Sequence, residues 1–249
     1  MITKAHYRRM LLFAVPLPHD FRRWILRLSN PARIEEFNRL RTGVAGDHTS
    51  FAPFVKTSSI FVHIPKTAGI AVSDALYGEM GGAHAAIDDY MLAFSRREFT
   101  NFFKFGFVRN PWDRLVSAYE FLRGGALSKS DYAWYQREIE NCGDFKNFVI
   151  DWLSSERLFD SIFLIPQYKF VCYPLTTKCA LDFMGRYETL DRDFATISKR
   201  LSIKVSLSAL NVSKRESMDY RSYYDSAARD KVAEIYKVDV EKFQYRFDG

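Results

Sequence analysis

Cysteine is scarce in this chain of 249 residues: only Cys142, Cys172 and Cys179 occur, an odd count with no CxxC pair. That speaks against a disulfide-built scaffold and against the usual zinc-site spacings, and it fits a reduced, cytoplasmic setting. No stretch approaches the roughly 20 apolar residues that span a bilayer. The basic start MITKAHYRRMLLFAVPLP imitates a signal peptide, but its apolar part is only about nine residues long and no small-residue cleavage site follows. No run of Lys and Arg marks a nucleic-acid tail, so nucleic acid is not expected as a partner. The triphosphatase signature GxxxxGKS/T is missing. So is any His, Cys, Asp and Glu set at metal-ligand spacing, and no metal is expected. Repeats and low-complexity segments are absent too.

What is present is enough apolar material for one substantial core, 47% of the residues, with a net charge of +6 and a pI near 9.1. Lengths up to about 250 residues suit a single α/β domain, so 1–249 is read as one domain. The basic balance suits an anionic small molecule, and equally an ordinary solvated surface. Two segments carry the chemical signal: FVHIPKTAG at Phe61 to Gly69 and FVRNPWDRLVSAY at Phe107 to Tyr119.

In the first, the apolar, β-branched run Ser58 to Ile64 ends abruptly in Pro65-Lys66-Thr67-Ala68-Gly69, after which Val72, Ala75 and Leu76 recur at helical spacing. This is strand, tight loop, helix, a grammar that aims backbone N–H groups at an anion from the positive end of a helix dipole. Lys66 adds a mobile charge. The second segment repeats it: Phe103 to Val108 alternates as a strand, Asn110 suits an N-cap, Pro111 the first helical position and Asp113 the first turn. Arg109 sits at the junction. Ser117, three residues after Arg114, is expected on the same helical face, a guanidinium and a hydroxyl suited to phosphate.

With the two segments in place, the chain resembles the sulfotransferases that use 3′-phosphoadenosine 5′-phosphosulfate (PAPS), especially the carbohydrate branch containing heparan sulfate 2-O-sulfotransferase and many bacterial proteins. In that family the first loop reads close to HIPKTAGTS and binds the 5′-phosphosulfate, which implies that Pro65, Lys66, Thr67, Ala68, Gly69 and Ile70 hold the cofactor here. An arginine and, eight residues later, a serine hold the 3′-phosphate; the matching positions are Arg109 and Ser117. IPQYKF at Ile165 to Phe170, FMGRYETL at Phe183 to Leu190, NVSKR at Asn211 to Arg215 and the C-terminal KVDVEKFQYRF extend the likeness over 58–248. Lys214 and Arg215 fall where the family closes over its cofactor. One departure stands out. The family usually has hydroxyl residues just after the loop glycine, where this chain has Ile70 and Ala71. A hydrogen bond to a charged group is worth roughly 1.5–3 kcal/mol, so their loss predicts cofactor binding weaker by about tenfold or more.

The resemblance implies sulfuryl transfer to a hydroxyl, of a saccharide or another acceptor, giving a sulfate ester and adenosine 3′,5′-bisphosphate. Lys66 is the candidate for stabilising charge at the sulfate and the leaving oxygen. The base should titrate near neutrality, which favours histidine. His63 belongs to the strand and is expected to order the turn. His84, in GGAHAAIDDY, lies where related enzymes carry a substrate-facing histidine and is the candidate base; Asp88 or Asp89 acting instead, or an idle loop histidine, stays open. Arg114 either completes the cofactor pocket or pairs with Asp113 or Glu120. Trp112 reads as a core anchor before an adenine platform, Tyr132, Trp134 and Tyr135 as packing before a sugar platform, and Arg186 with Glu188 as a structural pair.

Residues 1–57 are expected to hold one or two short helices and then a loop through Thr42 to Lys56. Helices are expected over Asp131 to Asn141, Phe145 to Trp152, about Glu188 to Leu201, and Ser226 to Tyr236, with a strand at Ala180 to Met184. Alternating strands and helices give an α/β fold, a mainly parallel sheet flanked by helices, and the resemblance makes it the P-loop-NTPase-like sulfotransferase fold. Eukaryotic relatives are typically Golgi-anchored, so the missing anchor favours a soluble, bacterial-type enzyme; a peripheral membrane role for Arg8 to Leu28 stays open. No patch identifies an oligomeric interface. Two rivals remain: a nucleotide-dependent kinase, and a degenerate member that binds a nucleotide or sulfated glycan without turnover.

Overall fold

The computed structural model describes residues 18–43, 50–78, 81–174, 176–207 and 219–248. Helices α1 (His19–Ser29), α2 (Pro31–Thr42) and α3 (Ala52–Thr57) precede strand β1 (Ser59–Val62). Helices α4 (Gly69–Tyr77), α5 (Ile87–Ala93) and α6 (Arg96–Asn101) lead to β2 (Phe103–Val108). Then come α7 (Pro111–Arg123), α8 (Lys129–Glu138), the short α9 (Phe145–Asn147), which runs on into a π turn, and α10 (Tyr168–Val171). Strand β3 (Phe183–Arg186), α11 (Leu190–Arg200), α12 (Ser226–Ile235) and α13 (Lys237–Lys242) complete the described elements.

The three strands form one parallel sheet in the order β1-β2-β3, with Ser59 opposite Phe103 and Phe105 opposite Phe183. Ile60, Phe61, Val62, Phe105 and Phe107 are buried, as expected of parallel strands covered on both faces. Parallel pairing forces every connection to cross over through helices, so the loops after β1 and β2 emerge at the same, carboxyl edge. In open α/β sheets that edge is where ligands bind.

Two packing devices set this edge. Tyr90, buried on α5, donates from its hydroxyl to the carbonyls of Phe61 (3.1 Å) and Gly82 (3.4 Å), tying the 81–86 segment to β1. Around it Phe51, Phe54 and Phe94 form an aromatic cluster with ring centroids 5.4 to 6.4 Å from Tyr90.

Several boundaries differ from the sequence reading. The span expected as a loop through Lys56 contains α3, with Pro53 in its first turn. The strand expected at Ala180 to Met184 begins at Phe183 and reaches Arg186. The reason lies in competing pairing at its start: Ala180 N–H donates to the Val171 carbonyl, away from β2, and the β2–β3 ladder runs from Phe105 opposite Phe183. The helix expected through Asn141 stops at Glu138, and a 3₁₀ turn covers Glu140–Cys142.

Candidate functional site

The loop after β1 turns on two residues with left-handed backbone, Lys66 (φ 70°) and Ala68 (φ 63°). Alternation of this kind makes successive N–H groups converge into an anion-binding concavity. Ala68 is the N-cap of α4 and no side chain caps that helix, so its first amides and dipole face the loop. Thr67 is buried and its hydroxyl donates inward to the Ile64 carbonyl at 2.9 Å, which leaves Thr67 to contribute to a ligand through its backbone. Gly69 is demanded by contact: a Cβ there would stand 1.8 Å from His63 Cδ2. Ile70 is 37% exposed, and Ala71 is buried in the helix.

Arg114 does not form the local carboxylate pair that is one of its two expected roles. It is buried beneath the loop and meets neither Asp113 nor Glu120; its Nε donates to the Pro65 carbonyl at 3.0 Å and its Nη2 to Phe163 at 3.2 Å. It is therefore a cationic strut under the loop after β1, and it does not share an outward face with Ser117, which is half-buried on α7. The half-buried stripe of α7 is instead Asp113, Ser117 and Phe121, successive i, i+4 positions that span about 12 Å. At one end Asp113 accepts two bonds from Arg109, from Nε at 2.7 Å and Nη2 at 2.8 Å. At the other, Lys66 Nζ lies 3.9 Å over the Phe121 ring.

Arg109 also donates from Nη1 to the Lys66 carbonyl at 3.1 Å and lies over the Tyr187 ring at 3.9 Å. The two loops are thus joined directly. These bonds use three of the five guanidinium N–H donors and leave two for an anion. Behind it, the buried Gln167 amide brackets the Arg109 backbone, accepting from its N–H at 2.9 Å and donating to its carbonyl at 2.8 Å. Gln167 N–H and Tyr168 N–H in turn donate to Asp239, buried at 2.7 and 2.9 Å. Burial pushes the Asp239 carboxyl up to about 6 against those two bonds.

His84 comes to the same edge. Its ring lies 4.4 Å from that of His63 and 6.4 Å from Phe163, which packs on Phe121 at 5.1 Å, so an aromatic floor runs from Lys66 to His84. Nδ1 lies 3.2 Å from the His63 carbonyl oxygen, which can only accept, so Nδ1 carries the proton and Nε2 is the basic nitrogen. Burial lowers the His84 pKa below its ordinary 6.5; the His63 bond opposes this, and Arg114 and Lys66 add to it. The imidazole is accordingly neutral near neutral pH. His63 is buried, stacked on Phe61 at 5.7 Å and held well below 6.5 by burial, so it packs and orders the turn. Asp89 is occupied at the start of α5, bonded to Ala86 N–H and to Arg33 at 3.1 Å.

Other residues take packing roles. Trp112 is buried, its indole N–H donating to the Arg229 carbonyl, and packs edge-on to Phe247. Tyr132 stacks on Tyr135, and Trp134 meets Trp152 edge-on. Arg186 and Glu188 do not pair with each other: Arg186 donates to the Phe243 carbonyl and Glu188 accepts from Asn110 N–H and the Tyr245 hydroxyl. Lys214 and Arg215 lie outside the described residues. Among the described residues no group of three or more His, Cys, Asp and Glu side chains is placed to hold a metal ion. A cavity of about 410 Å³, lined by Phe102, Phe103, Phe183, Asp182 and Arg200 among others, opens at the amino edge of β2 and β3, away from the loops.

Residues 79–246, more than half of the chain, match the model of the sulfotransferase family, and the chain belongs to that family. The matched span contains His84, Arg109 and Ser117 and begins downstream of the Lys66 loop. A protein of Archaeoglobus fulgidus, named only as an uncharacterized protein, is 30% identical over 114 residues, 45% of this chain and 78% of the archaeal one. No solved structure matches.

Proposed function

We propose that the chain transfers a sulfuryl group from PAPS to a hydroxyl of a carbohydrate acceptor, leaving adenosine 3′,5′-bisphosphate. The observation that carries this reading is the Arg109–Lys66 bond, which joins the two anion-facing loops at one sheet edge beside a neutral His84. PAPS, when bound, supplies an activated sulfuryl group on a phosphate leaving group. The amides of Lys66 to Ile70 and the Lys66 ammonium would hold its 5′ end. Ser117 and the two remaining Arg109 donors would hold the 3′-phosphate. His84 Nε2 would take the acceptor hydroxyl's proton as its oxygen bonds to sulfur and the bond from sulfur to the 5′-phosphate oxygen breaks.

The same reading takes the chain as one P-loop-NTPase-like sulfotransferase domain of the bacterial-type, heparan sulfate 2-O-sulfotransferase-like branch. Its cysteine usage suits the cytoplasm. A second reading, a member that binds the nucleotide or a sulfated glycan without turnover, draws on Ile70 and Ala71, which put no hydroxyl at the start of α4.

Calorimetric titration with adenosine 3′,5′-bisphosphate, with ATP and magnesium as comparison, tests the site. Micromolar binding that is lost in Arg109→Ala is the expected outcome. Preference for ATP with magnesium would defeat the reading. Binding without product over a panel of saccharide acceptors would favour the second.

A further inference from the structure

Among the described residues, one apolar face of helix α1 is exposed. Phe21, Trp24 and Leu28 are 44%, 53% and 66% exposed, and Phe21 stacks on Trp24 with centroids 5.3 Å apart. At i, i+3 and i+7 they fall within one arc of about 60° on the helix. The opposite side is seated on the body: α1 packs on α2 and α5, and Arg23 Nε donates to the Leu92 carbonyl at 3.1 Å. The exposed face is therefore a fixed surface of the folded protein, flanked by the exposed Arg27.

Charge is distributed to match. Residues 1–29 hold six basic side chains (Lys4, Arg8, Arg9, Arg22, Arg23, Arg27) and one acidic one, Asp20, a net of +5 against +6 for the whole chain. The remaining 220 residues are close to neutral in balance. Such asymmetry points to an anionic surface as partner. Two exposed aromatics and a leucine beside the exposed Arg27 favour a lipid bilayer over nucleic acid, because the rings and leucine enter the interface while the guanidinium meets the headgroups. At 11 residues, α1 is far too short to span a bilayer and must lie along it.

We propose that α1 docks the protein in-plane on an anionic membrane through Phe21, Trp24 and Leu28. This is independent of the transferase reading, since the test measures lipid binding alone. The full chain is floated with vesicles of phosphatidylcholine, with and without phosphatidylglycerol. The wild type should float with the anionic vesicles and at least tenfold less with phosphatidylcholine alone, and salt should weaken the binding. The triple variant Phe21→Ser, Trp24→Ser, Leu28→Ser should lose flotation with an unchanged melting temperature, because all three side chains already face solvent. Arg27→Gln should weaken it by a smaller factor. Failure of the wild type to float on anionic vesicles, or undiminished flotation of the triple variant, overturns the proposal. So does a wild-type dimer that the triple variant converts to monomer, which would show that a second copy covers the face.

Discussion

The side-chain amide of Gln167 holds the backbone of Arg109 from both sides, accepting from its N–H at 2.9 Å and donating to its carbonyl at 2.8 Å. The guanidinium that joins the two loops is thereby positioned through its own main chain. Replacing Gln167 by alanine leaves two backbone groups without their partner, a loss of about 1–3 kcal/mol of stability for each. Urea unfolding should show that loss, and calorimetry a weaker affinity for adenosine 3′,5′-bisphosphate. A stability loss with unchanged affinity would mean that Arg109 keeps its aim without the clamp.

His84 should be needed for turnover and not for folding. His84→Ala should lower kcat by about 100-fold or more, the usual scale of a general base, measured at a temperature where circular dichroism shows the variant folded. Burial holds its pKa below 6.5. The base is unprotonated above its own pKa, so the acid limb of kcat/KM should fall below pH 6.5 in the wild type and vanish in the variant.

Ile70 sits at the first turn of the uncapped α4 with 37% of its surface exposed. Ile70→Ser should be tolerated by the fold and should offer the bound phosphate a hydroxyl. A gain of roughly tenfold in bisphosphate affinity is expected from one such bond. Unchanged affinity would place the 5′-phosphate beyond reach of that turn.

Asp239 links stability to pH in an uncommon direction. Its folded pKa is raised to about 6 from 3.8, so between these values the folded state holds a proton that the unfolded chain releases. Its contribution is complete below pH 4 and lost as pH rises through 6, a change of about 3 kcal/mol at 1.36 kcal/mol per unit. Compared with Asp239→Asn, the wild type should therefore lose ground steadily from pH 4 to pH 7 in denaturant titrations.

Both strand-loop-helix turns were legible because their signals are local. A β-branched run, a Pro-Lys-Thr-Ala-Gly turn and a helical repeat lie within about a dozen residues, and Asn110 caps α7 through its own side chain, accepting from Trp112 N–H. Arg114 was not legible: its partners, the carbonyls of Pro65 and Phe163, are each 49 residues away, and closeness in sequence points only to Asp113 and Glu120. The Gln167 clamp was missed for the same reason, although IPQYKF stood out as a motif and a glutamine in an apolar stretch needs partners once buried. β3 was placed early because pairing with Val171 claims Ala180, which propensity alone assigns to the strand.

The contact between Gly69 and His63 has an evolutionary side. Gly69 lies in a helix, where alanine would ordinarily be the better residue, yet any added methyl group would collide with an imidazole that itself abuts His84. The two positions are free to drift only together, a bulkier residue at 69 requiring a smaller one at 63. A substitution at 69 that is harmless on another background would here displace His63 and, through it, the ring of His84.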